Sequence, residues 1–249
     1  ATLTYAWSWC PLVSASGDGF QCQISEEDLA ATGLPFLPYD LGTGPTAAFP
    51  YPTAPEALEL ACSTIAEQGN LPDFVPLPDC EKGFPVSVSL ELSDGTETIR
   101  AVKEMVLVYG PDDERNRNPQ LGGFAVRRHG EDSAVALLPD PTVLARLDRD
   151  TAYRLEVDIP AESSELYVAA GAEEETGEAL VVTWFVEGGE LAKTRTSYFP
   201  GESQLEKAEQ NDWTTPRADD FESDEMRVYT VLRDGRGGID WIASRLVLE

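Results

Sequence analysis

The chain has 249 residues with 45 Asp and Glu against 18 Lys and Arg, a formal charge of −27. That field repels phosphate backbones and anionic lipid head groups, so nucleic acid is not expected as a partner and acidic membrane surfaces are poor ones. The length suits two domains of about 100 to 150 residues, each able to bury its own core.

No run of about 18 apolar residues occurs, so no membrane-spanning helix is expected. Four cysteines, an even number, suit an oxidising compartment, and the expected location is extracellular or at the cell surface. Any export signal is expected to have been removed or to lie upstream of Ala1, where any surface tether would also stand. The basic residues are 14 Arg and 4 Lys. Low lysine with abundant acid fits a salt-adapted surface, and a bias toward arginine explains it equally well.

In chain order, Leu3-Thr-Tyr-Ala-Trp-Ser-Trp9 places Leu3, Tyr5, Trp7 and Trp9 on one face, which predicts a core strand. From Cys10 to Asp79 the pattern changes to Pro, Gly and short polar pieces with two helix signals. Ser25 caps Glu26-Glu-Asp-Leu-Ala. Thr53 and Glu56 form a capping box ahead of Leu58, Ala61, Cys62 and Ile65 on one helical face. Val86, Val88, Leu90 and Leu92 then alternate with polar residues up to Ser93-Asp94-Gly95, a strand followed by turn chemistry, and the chain returns through Ile99, Val102, Val106 and Val108.

Residues 110 to 118, Gly-Pro-Asp-Asp-Glu-Arg-Asn-Arg-Asn, are polar and aperiodic and read as a linker. Phe124-Ala-Val126 and Tyr153 to Ile159 predict strands, and Ala179 to Val186 repeats the aromatic strand with Trp184. Met226 to Leu248 repeats the stretch from Val86 to Val108 without a gap, 140 positions later. Arg233-Asp234-Gly235 replaces the first turn, Ile239 matches Ile99, Ile242 matches Val102, and Leu246 with Leu248 matches Val106 with Val108. A repeat of this length predicts two copies of one β module. The first copy carries an insertion of 37 residues between its aromatic strand and its turn, because Trp7 to Asp94 spans 87 positions and Trp184 to Asp234 spans 50.

The Tyr-x-Trp strand (Tyr5, Trp7; Val182, Trp184 in the second copy), followed by alternating Val and Leu into Asp-Gly and a closing strand, resembles the polycystic-kidney-disease-type branch of immunoglobulin-like β-sandwiches. The resemblance covers roughly residues 1 to 10, 84 to 109 and 119 to 249. It implies an all-β fold of two immunoglobulin-like sandwiches in tandem. Domain one (1–109) would lack its usual first strands and carry the insertion at about 10–80, and domain two would span 119–249. The Tyr5-x-Trp7-x-x-Cys10 opening, the Cys-containing insertion and the Arg233-Asp-Gly-Arg-Gly-Gly238 hairpin are also similar to exported lipoproteins of myxobacteria and their relatives. That similarity implies a cell-surface location and no known activity. Ala1 stands where the lipoprotein pattern needs an acylatable cysteine.

The chemistry is mostly absent. His129, the single histidine, sits in Arg127-Arg-His-Gly130, an expected exposed turn, so no Ser-His-Asp triad or histidine metal site is expected. No nucleophile elbow, phosphate-binding glycine loop, Cys-x-x-Cys pair or EF-hand spacing occurs. No cofactor is expected. No metal site is expected; the weak candidates are for calcium, with Asp112 and Asp113, or Asp219 and Asp220, as ligands. Arg115 and Arg117 work against the first pair.

The expected function is therefore a non-catalytic structural or interaction protein of the cell exterior, with protein partners or self-association by β-strand addition. Module one has only Ala1 to Thr4 before Tyr5 and reads as starting in mid-fold. Either the chain is a fragment without its upstream strands, or its open edge takes a donated strand and builds a filament, unless the insertion folds back through Phe36 to Tyr39 or Ala47 to Tyr51. The alternative is a carbohydrate- or protein-binding module, in which exposed Trp213 or Tyr198 would stack on a sugar. Trp7, Trp184 and Trp241 are expected in cores. The cysteines are expected to close short loops, Cys10 with Cys22 and Cys62 with Cys80.

Overall fold

The structure, a computed structural model, describes residues 2–11, 21–23, 25–27, 38–49, 63, 84–107, 116–131, 133–138, 144–168 and 174–249. The chain is all-β and divides into two compact units, Ala1–Arg115 and Asn116–Glu249. The second unit begins inside the stretch read as a linker. Asn116 donates to the Asp234 carboxylate, and the Asn118 side chain accepts from the Ile239 N–H.

Among the described residues the first unit holds one antiparallel sheet of β1 (Thr4–Cys10), β2 (Asp40–Gly42), β3 (Phe84–Ser93) and β4 (Thr98–Leu107), in the order β2-β1-β3-β4. Trp9, Val86 and Leu107 form its buried centre, with Tyr39, Leu41, Phe49, Val88 and Met105 packed around them. The Trp9 ring meets Tyr39 and Phe49 edge-on, and its indole N–H donates to the Pro38 carbonyl at 2.8 Å, so the ring is buried without an orphaned donor. Trp7 is half-buried rather than in the core, with its indole N–H on the Gly44 carbonyl. The chain itself covers the expected open edge of β1 from Trp7 to Trp9. Trp7 and Ser8 pair with Gly42 and Asp40, and the Trp9 N–H reaches the Tyr39 carbonyl. Of the two helix signals, residues 26, 27 and 63 are helical and the remainder lies outside the described residues.

The second unit contains β5 (Gly123–Arg128), β6 (Ala134–Leu138), β7 (Ala145–Leu147), β8 (Ala152–Asp158), β9 (Leu166–Val168), β10 (Glu175–Gly177), β11 (Leu180–Val186), β12 (Glu190–Leu191) and β13 (Arg195–Tyr198). A single helical turn, α1 (Glu206–Glu209), precedes β14 (Gln210–Thr214), β15 (Glu225–Asp234) and β16 (Ile239–Leu248). Two five-stranded sheets form, β13-β11-β15-β16-β7 and β12-β14-β8-β5-β6, and β9 with β10 make a separate hairpin. Alternate residues of both sheets point into one core. Leu180, Val182 and Trp184 come from β11, Met226, Val228 and Leu232 from β15, and Phe124, Leu155 and Trp213 from the opposite sheet. Burial of each such side chain contributes about 1.5–3 kcal/mol. The Trp184 indole donates to Thr196 Oγ1 at 2.9 Å, and that hydroxyl donates to the Ala208 carbonyl, so the ring is buried without an orphaned donor.

The sequence repeat is realised as a three-stranded unit, with β1-β3-β4 in the first unit and β11-β15-β16 in the second. Trp7 faces Leu90 and Trp184 faces Thr230, the positions 140 residues apart that the repeat demands. At the hairpin the two copies part. In the first, Asp94 pairs with Glu97 across a two-residue turn in which Gly95 has φ +91°. In the second, Asp234 pairs with Gly238 across three residues, and the left-handed position moves to Gly237 at φ +98°. Glu97 stands where the second copy has Gly237, and a side chain resists that conformation. The extra residue slips β16 by one place, so every side chain past the turn changes face relative to the alignment. Ile99 faces Leu92, whereas Ile239 faces Arg233. Val106, aligned with buried Leu246, is exposed, and Leu107 is buried instead.

Candidate functional site

The slip that turns Leu246 and Leu248 inward turns Trp241 outward. Trp241, expected in a core, is 61% exposed, because it pairs with Val231 on the face of β15 that points away from Val228, Thr230 and Leu232. Trp213 shows the reverse. It is 1% exposed, with its indole N–H on the Gly188 carbonyl, and Tyr198 packs half-buried against the same core, so neither ring is free to stack on a sugar.

The outer face of β13-β11-β15-β16-β7 is therefore the chemically distinctive surface of the second unit. Across its middle run Phe185, 48% exposed, opposite Tyr229, and Trp241 opposite Val231, with Tyr229 and Trp241 diagonal neighbours. Arginines surround this apolar band. Thr183 is flanked by Arg195 directly opposite it and by Arg233, which donates to its hydroxyl at 3.1 Å. At the other end of the strands Arg227 pairs with Glu187 at 3.7 Å, Arg245 with Glu225, and Arg146 with Glu249. The face thus holds five arginines and three glutamates in a chain of charge −27. No carboxylate among the described residues lies within ion-pair distance of Arg195 or Arg233.

A second cluster lies under the β15–β16 turn. Glu178 is 1% exposed, and its carboxylate accepts from Arg236 at 3.0 Å and from the Glu165 N–H. Burial and the neighbouring Asp234 charge raise its pKa above the usual carboxylate range, and Arg236 acts against them. Arg236 also lies 3.8 Å from Glu165 and over the Tyr167 ring. Asp234 Oδ1 accepts from the Arg236 and Gly238 N–H groups, which closes the turn. Each carboxylate here holds backbone or Arg236, so the cluster is a clamp on the hairpin.

Cys10 and Cys22 form a disulfide, whereas Cys62 and Cys80 lie outside the described residues. Asp112 and Asp113 also lie outside them. Asp219 and Asp220 sit exposed beside Arg217, whose pKa is raised by its hydrogen bond to Asp150 and by the charges of Asp150, Asp220 and Asp219. Among the described residues no three His, Cys, Asp or Glu side chains converge as a metal site. His129 is exposed in a turn, with its backbone N–H on the Ala152 carbonyl. No helix among the described residues is long and apolar enough to cross a membrane.

No family model matches the chain, and no curated protein matches it. Among solved structures it is similar to an endo-fucoidan hydrolase from glycoside hydrolase family 107, at 14% identity and a TM-score of 0.22. That similarity covers 70% of this chain and 20% of the enzyme, so the chain spans about a fifth of the enzyme's length. A likeness at that level transfers neither fold nor chemistry.

Proposed function

We propose that the chain is a non-catalytic interaction protein of the cell exterior, built from tandem immunoglobulin-like sandwiches of the polycystic-kidney-disease type, and that the outer face of β13-β11-β15-β16-β7 is its protein-docking surface. The strand order supports the sandwich reading for the second unit. β5, β8 and β14 adjoin in one sheet and β11, β15 and β16 in the other, as the A-B-E and C-F-G strands of an immunoglobulin sandwich do. β7 lies parallel to the last strand, so the opening segment contributes to both sheets. The Cys10–Cys22 disulfide supports an oxidising compartment.

The observation that carries the docking reading is the exposed aromatic band of Phe185, Tyr229 and Trp241 inside a ring of arginines. Aromatic residues and arginine are the types enriched where proteins meet. A photo-crosslinking residue at Trp241, and another at Thr214 on the outer face of the opposite sheet, tests it on cells that make the full chain. Protein adducts should form from position 241 and not from 214. Equal yields, or none from 241, would refute the reading.

A further inference from the structure

The outer face of β13-β11-β15-β16-β7 is self-complementary along the strand direction, and we infer that its partner is a second copy of this chain, packed face to face across a two-fold axis perpendicular to the strands. This rests on the docking reading above and names its partner.

Three zones follow one another along the strands. Arg195 and Arg233 form a basic end without acid, the Phe185, Tyr229 and Trp241 band lies in the middle, and Glu187 and Glu225 stand at the far end beside Arg227 and Arg245. A two-fold axis over the row of Phe185, Tyr229 and Ala243 keeps each strand above its own counterpart and reverses its direction. Arg233, four residues from Tyr229 on β15, then meets Glu225 of the second copy, four residues away on the other side. Trp241, two residues from Ala243 on β16, then meets Arg245 of the second copy, a cation–π arrangement. Arg195 lies toward the second copy's Glu187. The aromatic band covers itself.

Size and charge agree with this occupant. The five strands have 4, 7, 10, 10 and 3 residues, which at about 3.3 Å per residue and about 4.8 Å between strands make a face of roughly 540 Å² in projection. That is the order of the ~800 Å² per partner that a stable complex buries. Two chains of charge −27 repel each other over most of their surfaces. This face, with more arginine than acid, is a place where two copies can approach, and its acidic and basic ends fix one orientation.

Sedimentation velocity of the full chain from about 1 to 100 μM, with far-UV circular dichroism to confirm folding, tests the pairing. The wild-type chain should pass from monomer to dimer. R233E and E225R should each weaken the dimer by about tenfold or more, the double variant R233E/E225R should recover it, and an equimolar mixture of the two single variants should form a heterodimer. W241K should weaken it by roughly 30-fold, the loss of a hot-spot aromatic. A wild-type monomer throughout that range, or a dimer indifferent to R233E, E225R and W241K, would overturn the inference. If position 241 crosslinks only to a different protein while the chain stays monomeric, the docking reading stands and this partner is wrong. If it crosslinks to nothing, both fail.

Discussion

Arg227 stands directly opposite Arg245 across the β15–β16 ladder. Like charges at such a position destabilise a sheet, and here Glu187 and Glu225 relieve the repulsion from the flanks. The arrangement keeps two arginines side by side on this face at some expense in stability.

A consequence is that the relief depends on ionic strength. E225Q should lower the stability of the second unit by about 0.5 kcal/mol at low salt, the size of an exposed cross-strand charge effect. In about 1 M salt, where the Debye length is ~3 Å, the difference should vanish. Chemical denaturation of both forms by urea at the two salt concentrations measures it, and an unchanged difference would mean that Glu225 acts through packing.

The two hairpins predict different sensitivities at aligned glycines. Gly95 and Gly237 have positive φ and open space around the Cβ direction, whereas Gly235, aligned with Gly95, has no positive φ. G95A and G237A should each cost about 1 kcal/mol through backbone strain alone. G235A should cost less than about 0.5 kcal/mol. Thermal melts of the three variants decide whether the left-handed position has moved between copies.

Acid should act on the buried clamp in a definite direction. Because the folded pKa of Glu178 is raised, chiefly by burial, its ionised form opposes folding. The stability associated with its protonated form is complete below the unfolded carboxylate pKa of about 4.3 and is lost as pH rises through the higher folded value. Arg236 limits that loss. R236M should therefore cost about 3 kcal/mol near pH 7, as for any buried pair stripped of one partner, and distinctly less near pH 4. An equal cost at both pH values would remove Glu178 from the account.

Much of this architecture is legible in the residues. The period-two runs from Val86 to Leu92 and from Met226 to Leu232 became β3 and β15, and Asp-Gly marked both turns. The register past the second turn was not legible, because it depends on which of Gly235, Gly237 and Gly238 takes the left-handed conformation, and composition does not distinguish them. Ile239, Trp241, Ile242, Leu246, Val247 and Leu248 are apolar on both faces of β16, so alternation could not assign Trp241 to the outside. Trp213 misled in the opposite sense. Offered as an exposed ring for a sugar, it points inward with Asn211 and Thr215, between exposed Asp212 and Thr214. The Glu178 clamp left no local signal, since its members are brought together from β9, the start of β11 and the β15–β16 turn.

Concentration-dependent hydroxyl-radical footprinting tests the claimed docking face most directly, because the second unit supplies its own control. Trp241 and Phe185 are 61% and 48% exposed, while Leu166 and Val168, on β9 in the separate β9–β10 pair, are 70% and 55% exposed. Raising the chain from about 1 to 100 μM should suppress labelling of Trp241 and Phe185 and leave Leu166 and Val168 unchanged. Equal labelling of all four at both concentrations would contradict the account.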